Sequence, residues 1–151
     1  MKKLVIFDLD GTLLNTIRDL GTATNYALEV CGYPVHDLES YPYFVGNGVS
    51  RLLERVLPED TRTPANVERL RIKFMDYYGK HNTDSTEPYP GIPELLETLQ
   101  KLGVNVAVAS NKYQSAVDKL IYHYFGGIRW SDVEGQRDEV PVKPDPSIVF
   151  S

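Results

Sequence analysis

Residues 5–16 read VIFDLDGTLLNT. With the preceding lysine and leucine, residues 3–7 form the run KLVIF, which does not alternate apolar with polar. Such a run predicts a strand buried on both faces, the kind found in parallel sheets. Two aspartates, Asp8 and Asp10, follow the strand at its carboxyl end. Like charges held this close repel, so their placement implies a ligand that makes the crowding tolerable. Asp10-Gly11 alone would suit a hairpin turn. That reading accounts neither for Asp8 nor for the helical pattern that comes next.

Working outward, Ile17, Leu20, Ala23, Ala27, Leu28 and Cys31 recur at helical spacing. Thr16 with Asp19 fits a capping box, and Gly32 fits a helix stop. A second helix is expected at 49–57, with Val49, Leu52, Leu53 and Val56 on one face and Pro58 ending it. A third starts near Pro64 and carries Val67, Leu70, Phe74, Tyr77 and Tyr78. Between the first two lies FVGNGV, residues 44–49, a glycine-rich turn. The polar stretch NTDSTEPYPG, 82–91, reads as a boundary. Beyond it, Leu95, Leu96, Leu99 and Leu102 form a helix stopped by Gly103. VNVAVAS, 104–110, is a second buried strand, a helix spans about 113–124, and IRWSDVEG holds a short third strand. Strand, helix, strand in this order gives a parallel sheet with right-handed crossovers. Residues 16 to about 80 hold helices only and form an insert after the first strand.

Length and composition agree with that plan. The chain has 151 residues, 42% hydrophobic and 25% charged, enough for a packed core. A formal net charge of -5 argues against nucleic acid or an anionic membrane as a partner. One cysteine, Cys31, allows no intrachain disulfide, and a reducing cytoplasm fits. MKKLVIF opens like a signal peptide, but Asp8 and Asp10 interrupt the apolar stretch too early. No run is long enough to span a membrane as a helix, and there is no internal repeat.

Ligands in open parallel sheets sit beyond the carboxyl ends of the strands. The first strand ends in Asp8-Leu9-Asp10-Gly11-Thr12 and the second in Ser110-Asn111-Lys112. Lys143 stands in VPVKPDP, between prolines that stiffen its loop. In this order and placement the segments resemble the motifs of the haloacid dehalogenase superfamily. Residues 8–12 resemble its first motif, Ser110-Asn111 its second, and Lys143 before Pro144 its third. FVGNGV, PYPG and SNK look most like the phosphoglycolate phosphatase branch. The resemblance implies an α/β fold: a Rossmann-like parallel-sheet core from 1–15 and 88–151, and a small all-helical cap domain at 16–87.

It also implies a Mg²⁺-dependent phosphomonoester hydrolase for a small phosphorylated metabolite. Asp8 would attack phosphorus and form an aspartyl-phosphate. Asp10 would donate a proton to the leaving alcohol and later take one from water. Gly11, Thr12 and Ser110, with Asn111, would bind the phosphoryl oxygens. Lys143 would hold Asp8 and the phosphate by charge. The Asp8 side chain and the Asp10 main-chain carbonyl would bind the metal. Gly46, Asn47 and Gly48 would be a cap loop that contacts substrate. The expected partner is a small phosphorylated substrate, for a cytoplasmic monomer or homodimer with no nucleic acid and no membrane.

Plainer readings stand beside these. Ser110-Asn111 could be a helix N-cap. Lys112 divides evenly between substrate contact and surface. Gly46-Asn47-Gly48 could be a turn and nothing more. Arg51 and Arg55 read as surface residues of an amphipathic helix. His36, His81 and His123 lack metal-ligand spacing, and the ten tyrosines read mostly as core and helix-face residues.

The superfamily's fourth motif, an acidic pair on a later strand, does not occur before Ser151. The expectation is a fragment whose missing strand would leave a hydrophobic edge at KLVIF. A polypeptide of this length should then be weakly stable and nearly inactive. Two alternatives remain open: a phosphosugar mutase using the same aspartyl-phosphate, and a non-catalytic binding module. A dehalogenase is disfavoured because Asp10 occupies the second acidic position.

Overall fold

The computed structural model describes residues 3–136. Lys143 and the helix expected near Pro146 lie outside them. In chain order the elements are strand β1 (Leu4–Phe7), strand β2 (Leu14–Asn15), helix α1 (Ile17–Cys31), helix α2 (Val49–Val56), helix α3 (Pro64–His81), strand β3 (Glu87–Pro88), helix α4 (Ile92–Lys101), strand β4 (Asn105–Tyr113), helix α5 (Gln114–Phe125) and strand β5 (Asp132–Gln136). Single 3-10 turns occupy Leu38–Tyr43 and Glu59–Thr61. The chain divides into two compact units, Met1–Asn15 with Glu87–Ser151, and Thr16–Thr86.

The first unit is an α/β core. Its three-stranded sheet has the order β1-β4-β5, with both pairings parallel. Leu4, Val5, Ile6 and Phe7 pair with Asn105, Val106, Ala107 and Val108. Leu9, Leu13 and Leu14, from the turn after β1, pack with Leu96 of α4, Val106 and Val108 of β4, and Val117, Leu120, Ile121 and Phe125 of α5. β2 and β3 form a separate two-residue antiparallel ribbon, Leu14 opposite Pro88 and Asn15 opposite Glu87. Burial on both faces holds for β4, where Val106 to Ser110 are all buried. It fails for β1. Leu4 and Ile6 are 53% and 41% exposed, while Phe7 packs against the core cluster. β1 is an edge of the sheet among the described residues, and Leu4 and Ile6 share the face of it that stays exposed.

The second unit is all helical. Leu20, Ala23, Ala27 and Leu28 of α1 are buried, as are Leu70, Phe74 and Tyr78 of α3 and Leu52, Leu53 and Val56 of α2. Gly32 ends α1 in the left-handed conformation at φ 84°, a position that favours glycine. The side chain of Thr63 accepts from the Asn66 N–H and caps α3, whose first turn starts on Pro64.

The capping box expected at Thr16 and Asp19 is absent. Thr16 makes no side-chain cap hydrogen bond. The Asp19 carboxylate instead accepts from the Ser85 N–H at 2.9 Å, the Thr86 N–H at 2.8 Å and the Thr86 hydroxyl at 2.7 Å. A charged acceptor for two backbone donors and a hydroxyl outweighs one local cap bond. Asn25 has a similar long-range role. Its amide donates to the His36 carbonyl and its oxygen accepts from the His36 N–H and the Tyr41 hydroxyl. The His36 ring nitrogen Nε2 lies 2.7 Å from the Val56 carbonyl, so His36 is structural. Burial pushes the Tyr41 phenol up from its usual range.

Candidate active site

The parallel register brings two strand ends together. Phe7 lies opposite Val108, so Asp8 and Asp10 leave β1 beside the part of β4 that runs from Ala109 to Lys112. The chain then turns sharply. The Leu9 carbonyl accepts from the Thr12, Leu13 and Leu14 N–H groups, and the Gly11 N–H donates to the Leu14 carbonyl. Gly11 holds φ 81°, in the left-handed region where glycine is favoured. This winding, and not a hairpin, follows β1, because β2 pairs with β3. Buried Leu9, Leu13 and Leu14 anchor the turn. Asp8, Gly11 and Thr12 stay exposed. The Leu9 N–H donates to the Asp8 carboxylate at 2.8 Å.

β4 continues three residues past the expected strand end. α5 begins only at Gln114, and Tyr113 is its N-cap residue. Ser110-Asn111 is therefore not the helix cap. The pairing with β5 is irregular here. Ala109 pairs with Glu134, but four residues on, Tyr113 pairs with Gln136, only two beyond Glu134. Ser110, Asn111 and Lys112 form a bulge, a device that re-aims side chains at a strand end. The buried Ser110 hydroxyl oxygen accepts from the Lys112 N–H at 3.0 Å.

Gln114 fills the opened ladder. Its side-chain amide donates to the Val133 carbonyl at 3.0 Å, and its oxygen accepts from the Gly135 N–H at 2.6 Å. It thus replaces a strand's peptide group beside the bulge. Gly135 sits too close for any side chain. A Cβ there would lie 2.8 Å from both the Gln114 Cα and the Lys112 carbonyl oxygen. Both neighbours are backbone and cannot swing aside. Gly135→Ala should therefore destabilise the protein by about 2 kcal/mol through overpacking, read as a lower urea midpoint; an unchanged midpoint would mean that β5 moves freely relative to the bulge.

Lys112 is the main departure from the sequence reading. Its side chain is only 4% exposed, and its Nζ lies 3.1 Å from an Asp10 carboxylate oxygen, with Asp10 24% exposed. Burial excludes the surface alternative for this lysine. A buried ammonium needs a counter-charge, and Asp10 supplies it. Burial also raises the Tyr113 phenol above its usual range, partly opposed by the Lys112 charge.

The structure thus brings Asp8, Asp10, Gly11, Thr12, Ser110, Asn111 and Lys112 into one unit at the carboxyl ends of adjacent strands. Sequence reasoning missed Gln114 and Gly135. A glutamine directly after SNK and a glycine inside the last strand were the available signals. In the helical unit, Gly46 and Gly48 have φ 120° and 90°. Arg55, read as a surface residue, donates to the Phe44 carbonyl at 3.1 Å and to the Asn47 side-chain oxygen at 2.8 Å, bracing that loop.

Known proteins resemble this chain in sequence and fold. A family model described as haloacid dehalogenase-like hydrolase matches residues 5–151. The chain is 34% identical over 152 residues to a phosphoglycolate phosphatase of Thiobacillus denitrificans, covering 95% of this chain and 65% of the relative. It is 36% identical over 157 residues to one of Pseudomonas syringae pv. tomato, covering 99% and 56%. The chain therefore spans less than two thirds of each relative's length. A crystal structure from Lactobacillus delbrueckii subsp. bulgaricus, provisionally named phosphoglycolate phosphatase, superposes with a TM-score of 0.90 at 32% identity, covering 99% of this chain and 70% of that one.

Proposed function

The chain belongs to the haloacid dehalogenase-like hydrolase family, and from that premise we propose that it serves a phosphomonoester hydrolase for a small phosphorylated metabolite of the phosphoglycolate kind. One observation carries the reading: exposed Asp8 stands beside the Asp10–Lys112 pair at the carboxyl ends of two adjacent parallel strands. That is where open α/β sheets bind ligands.

The chemistry follows from the groups present. An Asp8 carboxylate oxygen attacks phosphorus, and the bond from phosphorus to the ester oxygen breaks. The departing oxygen takes a proton from Asp10, leaving an aspartyl-phosphate on Asp8. Water then attacks phosphorus and gives its proton to Asp10. The Asp8–phosphorus bond breaks and inorganic phosphate is released. The Gly11 and Thr12 segment, with Ser110 and Asn111, orients the phosphoryl oxygens. Lys143, outside the described residues, would hold Asp8 and the phosphate by charge. The Gly46–Gly48 loop, shaped by Arg55, is assigned to choosing among substrates.

The donor set suits a hard divalent cation in part. Among the described residues there is no cluster of three or more histidine, cysteine, aspartate or glutamate side chains that could hold a metal. The Asp8 carboxylate and the Asp10 main-chain carbonyl are oxygen donors of the type Mg²⁺ takes and would hold it in part. When bound, Mg²⁺ would offset the repulsion between carboxylate and phosphate. No helix among the described residues is long and apolar enough to cross a membrane.

The test, made on the intact protein, is release of inorganic phosphate from p-nitrophenyl phosphate and from phosphoglycolate, with Mg²⁺ and with a chelator. Mg²⁺-dependent release from both is expected. No turnover of any ester would favour a binding module, and a requirement for a bisphosphate activator would favour a mutase.

A further inference from the structure

We propose that Lys112 is the positioning residue for Asp10, fixing the carboxyl group that moves the proton; this rests on the phosphatase reading above. The ion pair is not a surface contact of the kind that contributes little. The Lys112 head is almost withdrawn from water, and Asp10 lies 3.1 Å away.

The lysine backbone is itself fixed from three sides. The Ser110 hydroxyl oxygen accepts its N–H. Its carbonyl oxygen packs against Gly135, 2.8 Å from where a Cβ would stand. The next residue but one, Gln114, ties the bulge to β5 through two hydrogen bonds. The Asp10 backbone is set by the winding turn around the Leu9 carbonyl. A rigid ammonium therefore faces a carboxylate on a rigid loop.

The pairing matters at a defined moment. When the ester bond breaks, the electron pair goes to the leaving oxygen and the Asp10 proton follows it. The oxygen that released it lies within reach of the Lys112 Nζ, 3.1 Å away. In the second half of the reaction the same carboxylate takes a proton from water. Lys112 touches neither the phosphoryl group nor the leaving group in this scheme. It acts through Asp10.

A leaving group that departs without a proton should feel the loss of Lys112 less than one that needs a proton. The p-nitrophenolate of p-nitrophenyl phosphate is of the first kind and the alkoxide of phosphoglycolate of the second. The experiment compares kcat/KM for both esters in the full chain and in Lys112→Met, because kcat/KM reports the steps up to phosphoryl transfer. General acid catalysis contributes roughly a hundredfold or more, so mispositioning it should reduce kcat/KM on the alkyl ester by roughly tenfold and on the aryl ester by less than about threefold. Equal losses on both esters, or no loss on either, would overturn the proposal.

A second measurement needs no activity. Urea unfolding of Lys112→Met, Asp10→Asn and the double variant forms a cycle. Asp10→Asn removes the carboxylate that faces the buried Lys112 ammonium, so adding Lys112→Met should recover at least half of the lost stability. Simple additivity would also overturn the pairing. If the intact, unsubstituted protein turns over no ester at all, the phosphatase reading fails. If it does turn over and the leaving-group split is missing, only the role of Lys112 fails.

Discussion

Asp8→Asn should leave the fold in place and lower phosphomonoester turnover by at least about a thousandfold, since removing a nucleophile closes the covalent route entirely. The amide keeps the shape of the carboxylate and retains an oxygen to accept the Leu9 N–H. Asp8 is exposed, so no buried charge is unbalanced by the change. The measurement is kcat on p-nitrophenyl phosphate at saturating Mg²⁺, beside a urea unfolding curve. Turnover within about tenfold of the unsubstituted protein, with an unchanged curve, would show that another group attacks phosphorus.

Asp19→Ala carries the largest expected effect on stability. Its carboxylate is buried and serves the Ser85 N–H, the Thr86 N–H and the Thr86 hydroxyl, 66 and 67 residues along the chain. Alanine removes the acceptor that buried Thr86 bonds through both its N–H and its hydroxyl. The loss should be about 3 kcal/mol, since an orphaned buried donor costs roughly 1–3 kcal/mol and bonds to a charged acceptor lie at the upper end. Asp19→Asn keeps one acceptor oxygen and should fall between the two. A change below about 0.5 kcal/mol in the alanine variant, the size of an ordinary surface substitution, would mean that water replaces the carboxylate without cost.

The α/β class and the main helices were legible because their signals are local. Apolar spacing marks α1, α2 and α3, glycines mark the ends of α1 and α4, and an unbroken apolar run marks β4. Each signal needs only a few neighbouring residues. The ribbon of β2 and β3 escaped notice because two residues display no period. The 3-10 turn at Leu38–Tyr43 escaped because it contains Pro42 and no repeating apolar face. Gly21 in α1 has a reason the sequence hides: a Cβ there would lie 2.7 Å from Leu38 and 2.9 Å from Tyr41.

The sequence by itself determined which residues carry charge and hydroxyl groups at the ends of two strands: Asp8 and Asp10 on one, Ser110, Asn111 and Lys112 on the other. It also determined that those strands run parallel, because helices separate them. Only the tertiary structure decided that Lys112 is buried against Asp10, that a bulge braced by Gln114 and Gly135 aims it there, and that Asp19 bonds to Ser85 and Thr86 instead of capping its own helix. Local pattern reports the preference of a segment for a conformation. The partner of a buried charge is set by strand register and by contacts between residues far apart in sequence, and an ammonium or carboxylate taken out of water settles on whichever opposite charge or donor the fold brings within reach.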